Sequence, residues 1–302
     1  MNNNVLDIEP YRLPKLVKLS NGKTYWVYNV SDGFDNYSQL KSKYSFVNKK
    51  IKSNAYTFCN VHMMAMGLIY SGYEKRLSAE YNAKYPELTR LPDKLAKYIF
   101  EDPEMNKYFK KRFPNYYKEF KAGNDKDAIC PNELHNLLNW SANKFLDIGA
   151  VTYFSMHTPW ENIIEDIIYN GTPVGVSGLF SNLNHMVLVV GVAYDHLEDQ
   201  NEPGKCQEPS YLIVDDPYGK TYEYGKGLSG NDVWIPFYRC VSDFKPLNNS
   251  NFKMTHRFIR AEHLGVWIIK LGGIQFPLNL LFCKLIVFFI FMIVDKLIYL
   301  KY

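Results

Sequence analysis

Apolar residues recur at different spacings along this chain, and the changes of spacing divide it. From residue 1 to about 50 there is no sustained period, which predicts an irregular arm. One apolar-rich run, KTYWVYNV at 23–30, predicts a short strand there, closed by a turn at Ser31, Asp32 and Gly33. After Cys59 the spacing turns helical. Val61, Met64, Ala65 and Leu68 fall at i, i+3, i+4 and i+7, a single buried stripe, and Gly72 is the expected stop. Residues 74 to about 130 are polar, with charged helical segments broken by prolines. Helical spacing then returns twice. PNELHNLLNWSANKFL at 131–146 carries Pro at its start and a stripe of Leu134, Leu137, Leu138 and Phe145. TPWENIIEDIIYNG at 158–171 offers Thr158 as N-cap, Pro159 in the first turn, Glu161 three residues on and Gly171 as the stop.

Beyond residue 172 the pattern becomes that of strands. PVGVSGLF (173–180), MVLVVGVAY (186–194) and YLIVDD (211–216) are rich in Val, Leu and Ile and are separated by Asn, Gly and Pro clusters. Helices before strands predict an α+β fold, and the chain shows no internal repeat and no low-complexity linker. The expected parts are an arm at 1–50, a domain at 51–245 with a helical insertion at about 74–130, and a C-terminal extension at 246–302.

Composition narrows the class of protein. The chain has 302 residues, 47% hydrophobic and 22% charged, long enough for a sizeable core and ordinary for a globular protein. A net charge of +4 from 35 basic and 31 acidic residues leaves no footprint for nucleic acid. The densest basic stretch, KYFKKRFPNYYKEFK at 107–121, reads as a solvated helix face with inward aromatics rather than a grip on an anionic polymer. The aromatic share of 16% is high, but AT-rich codon usage gives the same excess of Tyr, Phe, Asn, Lys and Ile. Five cysteines, Cys59, Cys130, Cys206, Cys240 and Cys283, form an odd set at irregular spacing, against a disulfide framework and for reduced thiols.

The ends bear on location. MNNNVLDIEPYRLPKL has no basic stretch followed by an apolar one, so no standard secretory signal is expected and a cytoplasmic location is the default. At the other end, an apolar run from Leu285 to Val294 is bracketed by Lys284 and Asp295, shorter than the roughly 20 residues of a spanning helix. Residues 276–302 therefore fit a membrane anchor or interfacial segment, a core element, or an atypical end such as a shifted reading frame.

The chemistry centres on Cys59. CNVH (Cys59 to His62) has the spacing of half a zinc site, but no second Cys/His pair lies nearby in sequence, and there is no HExxH, Walker loop or GxGxxG. No metal and no cofactor are expected. A cysteine opening a helix faces the positive end of the helix dipole, which favours thiolate, and such a nucleophile works with a histidine held by a third group. His185 stands at the start of the most apolar strand, fixed by rigid backbone. YLIVDDPYG at 211–219 ends a strand in two acids, either Asp215 or Asp216 being placed to accept the imidazole Nδ1–H. Alternation sends the two acids to opposite faces without saying which meets the histidine. His62, one turn along the Cys59 helix, points beside the cysteine rather than across a cleft.

YSQ ending at Gln39, FCNVHMMAMGLIYSGY from Phe58, GTPVGV from Gly171, HMVLVVGVAYD from His185 and DDPYG from Asp215 occur in that order. Together they resemble the papain-like cysteine peptidases, and within them the bacteriocin-processing (double-glycine leader) peptidase group. The resemblance spans about residues 37 to 220. It implies a papain-like fold, a nucleophile helix packed on an antiparallel sheet, with Cys59 as nucleophile and His185 as general base and then acid. It further implies Asp216, directly before Pro217, as the acid orienting His185, and Gln39 as an oxyanion-hole donor beside the Cys59 N–H. The implied activity is cleavage of a peptide or amide bond through a thioester, on a protein, peptide or cell-wall peptide. The alternatives are a peptidoglycan amidase or transpeptidase with the same triad, and a non-catalytic binding module keeping the fold. Asn60 stands where many relatives have Gly, and KKIKSN at 49–54 lengthens the segment between Gln39 and Cys59.

Overall fold

The computed structural model describes residues 12–31, 46–47, 52–53, 59–115, 117–118, 135–136, 139, 152–180, 183–197, 207–218, 231–238, 251–260, 266–271 and 274–279. The chain opens with an antiparallel pair, β1 (Lys15–Lys18) and β2 (Thr24–Asn29), across a turn in which Gly22 takes a φ of 83°. A short ladder, β3 (Phe46–Val47) with β4 (Lys52–Ser53), follows. Helix α1 (Cys59–Leu68) passes through a π-helical turn, Ile69–Tyr73, into α2 (Glu74–Lys84). Gly72, at φ 89°, kinks this junction instead of ending the helix. Next come α3 (Leu91–Glu101), α4 (Pro103–Arg112), β5 (Thr152–Pro159) and α5 (Trp160–Glu165), the last prolonged by a π-helical turn, Asp166–Asn170. Strands β6 (Val174–Phe180), β7 (Leu183–Tyr194), β8 (Tyr211–Asp215), β9 (Val233–Pro236) and β10 (Asn251–Phe258) complete the main body.

The fold is α+β: helices packed on an antiparallel, eight-stranded sheet. Strand β7 is its spine. Along one edge it pairs first with β6 (Val187 opposite Val176) and then with β2 (Val192 opposite Tyr28), while β8 takes the other edge. The change of partner coincides with an irregularity between Val189 and Gly191, where the Val190 carbonyl accepts the Val30 N–H at 2.8 Å. Strand β10 lies between β6 and β5, and β9 extends the sheet beyond β8.

The expected boundaries at 50 and 245 are thereby corrected. Part of the arm enters the sheet as β1 and β2, and the stretch past 245 supplies β10. The latter was hidden because its buried positions include Thr255 and His256, which do not read as apolar alternation. The compact unit runs from Ile8 to Arg260, and residues from Ala261 onward belong to a second, whose described strands β11 (Val266–Leu271) and β12 (Ile274–Asn279) form an antiparallel ladder. Among the described residues no helix is long and apolar enough to cross a membrane, and the run from Leu285 to Val294 lies outside them.

The helix expected at 158–171 begins at Trp160, because Thr158 still belongs to β5 and its hydroxyl hydrogen-bonds the Thr255 hydroxyl at 2.5 Å instead of capping. Gly171, left-handed at φ 59°, ends the segment as expected. Of the helix expected at 131–146, only His135, Asn136 and Asn139 are described, all helical. In α4 the aromatic–basic stretch behaves as expected: Phe109 is buried, with its ring edge-on to Phe113 and Tyr117, while Lys110, Lys111 and Arg112 face solvent.

Helix α1 is buried all round, Asn60 through Leu68. The sheet covers one side and α3 packs against it with Leu91, Leu95, Ala96, Ile99 and Phe100 among its own buried residues. Two glycines allow the close approach. A Cβ on Gly175 of β6 would lie 2.3 Å from the Met63 sulfur, and one on Gly67 of α1 would lie 2.0 Å from the Phe258 ring. Gly191 is tighter in kind: its Cβ would meet the Tyr28 carbonyl oxygen at 2.5 Å, and that atom is backbone. Overpacking costs about 1–3 kcal/mol where a side chain gives way. Met63 is flexible and can move; the β2 backbone cannot do so without breaking its ladder. Gly191→Ala is therefore expected to lower the urea midpoint more than Gly175→Ala, and equal midpoints would remove Gly191 as a constraint on the sheet.

Candidate functional site

Three side chains from three elements meet at one end of the sheet. Cys59 is the first residue of α1 and is half-buried, its thiol not in a disulfide. His185 lies near the beginning of β7, and Asp216 directly follows β8; both are buried. His185 Nε2 and Asp216 Oδ1 are 2.7 Å apart, and the imidazole also hydrogen-bonds the Cys59 side chain. With Nε2 engaged by the acid, Nδ1 is the ring nitrogen left for the sulfur. The expectation that the acid would take Nδ1–H is thus reversed. Nε2 is the tip of the ring, and Asp216, one residue past its strand, meets the ring there.

The register settles which acid faces the histidine. Asp215 pairs with Leu188 across the β7–β8 ladder and shares its face. The next residue points the other way, toward the face of Val187 and His185. Asp216 also accepts the Tyr218 N–H at 2.8 Å, a turn in which an aspartate side chain bonds the backbone two residues on, with Pro217 between. The Tyr218 ring stands edge-on to the imidazole, with centroids 6.3 Å apart. Sequence reasoning missed Tyr218, although Asp-Pro-Tyr is a recognisable signal for this turn.

Asp215 is wholly buried in its own network. Its Oδ2 accepts the Tyr70 hydroxyl at 2.6 Å and its Oδ1 accepts the Asp232 N–H at 2.8 Å. Asp232, at φ 49°, accepts in turn from the Asn29 side-chain amide and the Ser31 hydroxyl, each at 2.9 Å. Nothing in the local sequence around Tyr70 or Asp232 announced this network, which joins residues more than 140 positions apart.

Burial and hydrogen-bond partners together set the charge of His185 and of Asp215. Burial alone would lower the His185 pKa, but the hydrogen bonds to Asp216 and Cys59 and the charges of both outweigh it and raise it to about 10. Burial pushes the Asp215 carboxyl up to about 7, against the pull of the Tyr70 and Asp232 hydrogen bonds, with the Asp232 and Asp216 charges adding to the rise. Of the other sequence-predicted residues, Gln39 lies outside the described residues, as do Cys130, Cys206, Cys240 and Cys283. His62 is wholly buried along α1. Asn60 is buried too, its side-chain oxygen accepting the Val61 N–H at 2.8 Å. Among the described residues no group of three metal-ligating side chains comes together.

A raised histidine pKa is stabilising while the ring is charged. The contribution of His185 is complete below its ordinary value of about 6.5 and is lost as pH rises through about 10. In a histidine NMR titration, the His185 ring is expected to stay protonated through neutral pH, and Asp216→Asn to bring its titration down. A wild-type ring that titrates near 6.5 would show that neither partner holds the proton. No family model, curated protein or solved structure matches the chain.

Proposed function

We propose that the chain is a cysteine hydrolase of papain-like architecture that cleaves a peptide or amide bond, with Cys59 as nucleophile, His185 as acid–base and Asp216 as the residue orienting the imidazole. The observation that carries this reading is the convergence of a half-exposed cysteine, a buried histidine bonded to it, and a buried aspartate bonded to that histidine at 2.7 Å. A buried imidazolium held between a carboxylate and a sulfur is the arrangement that supplies a thiolate nucleophile near neutral pH.

In the first step the sulfur attacks the carbonyl carbon, and the carbonyl oxygen takes the negative charge. The Cys59 N–H, in the first turn of α1 where helix N–H groups have no intrahelical acceptor, is available to that oxyanion. Collapse of the tetrahedral species breaks the C–N bond, and His185 gives its proton to the departing amine. The thioester left on Cys59 is hydrolysed by water, whose proton His185 takes and keeps as the sulfur departs as thiolate, which restores the starting pair. By the resemblance Gln39 supplies the second oxyanion donor. Substrates of the proposed class are a protein, a peptide or the peptide of a cell wall, and the steps call for no metal or cofactor.

The test combines labelling with turnover. Iodoacetamide is expected to label Cys59 quickly at mildly acidic pH, and His185→Ala to slow that labelling. On any peptide from a fluorogenic library that the wild type cleaves, Cys59→Ala is expected to remove at least about a thousandfold of the rate. Slow labelling indifferent to His185→Ala would sink the proposal.

A further inference from the structure

We infer that Asp215 is a positioning residue for this site, tying the helix that carries Cys59 to the strand end that carries Asp216. The inference rests on the cysteine-hydrolase reading above. Helix α1 and the π-helical turn that follows it are continuous, so Tyr70 moves with Cys59. A π-helical turn widens the helix locally and frequently marks a functional position. Here it bears the hydroxyl that reaches Asp215 Oδ2 at 2.6 Å, from a residue only 3% exposed. Asp215 Oδ1 is held from another direction by the Asp232 N–H, directly before β9. Asp232 is fastened to the end of β2 through Asn29 and Ser31. The adjacent residue, Asp216, is thereby fixed relative to both the helix and the sheet.

The tie is complete only when the carboxyl is ionised. A carboxylate accepts from Tyr70 and Asp232 together, whereas a protonated carboxyl gives one oxygen over to its own proton. The groups facing it are Tyr70 from the helix, the Asp232 backbone and carboxylate from directly before β9, and Asp216 from its own strand end. Burial brings the change of state to about pH 7. With the tie complete, Cys59 becomes more reactive as pH rises through neutrality.

The test uses the full chain as wild type, His185→Ala, Asp215→Asn and Tyr70→Phe. The iodoacetamide rate of the Cys59 peptide is followed by mass spectrometry from pH 4 to 9, with thermal unfolding measured in the same buffers. The wild type is expected to react quickly, to depend on His185, and to show a second rise in rate across neutral pH. Asp215→Asn keeps the shape and removes the titration, so it is expected to lose that second rise while remaining folded. Tyr70→Phe removes the tie to the helix and is expected to slow labelling about threefold to tenfold. A merely structural aspartate would leave the pH profile unmoved in both variants. Should Asp215→Asn fail to fold, Tyr70→Phe decides alone, because losing the hydrogen bond that lowers the Asp215 pKa is expected to move its second rise to higher pH. Fast, His185-dependent wild-type labelling with unchanged profiles and rates in the variants overturns the inference and leaves the hydrolase reading intact. Slow, His185-independent labelling in the wild type itself overturns both.

Discussion

The sheet has to bring a histidine, an aspartate and the helix that begins at Cys59 to one end while keeping its middle closed, and the burden falls on β7. A strand has two edges, yet β7 serves β6, β2 and β8. It does so by handing one edge from β6 to β2 at the Val189–Gly191 irregularity. The handover brings the Tyr28 carbonyl so near Gly191 that no side chain fits between them. Without it, β2 and β6 would compete for the same hydrogen bonds. The first half of β7 would then lose the hairpin with β6 that fixes His185.

Burial of charge is the second constraint. A solitary ionised carboxylate or imidazolium in this interior would be costly, and desolvation does push His185 toward its neutral form. What reverses that tendency is mutual satisfaction: the ring lies between Cys59 and Asp216, and Asp216 accepts a backbone N–H as well. Removing one partner of such a set leaves the other stranded, so the site tolerates little drift. Arg257 and Asp166 illustrate the same rule on a purely structural pair, the guanidinium gripping the carboxylate of the π-helical turn after α5.

How much of this was legible in the sequence depended on whether the signal was local. The run HMVLVVGVAY announced a buried strand because its neighbours on both edges are all apolar-compatible, and Val61, Met64, Ala65 and Leu68 announced a helix. Cys59, His185 and the pair of acids at 215–216 could be named as candidates from type and position. The choice between those acids could not, since it depends on a register that a single extra residue at Val190 changes. Strands β5 and β10 escaped notice because their buried faces include Thr152, Thr158, Thr255 and His256. Thr158 looked like a helix cap until the Thr255 hydroxyl took its hydrogen bond. Gln39 was nameable from the resemblance alone, and it lies outside the described residues.

The helices between residues 74 and 112 carry a consequence for how this chain can be trimmed. Here α3 lies against α1, and every residue of α1 from Asn60 to Leu68 is buried. The covered face of α1 is Met, Val and Leu, so removing its cover exposes a hydrophobic patch of the kind that drives aggregation. A shortened chain that keeps the sheet and α1 but drops α3 is therefore not a smaller version of the same protein: the polar-looking stretch is part of the core.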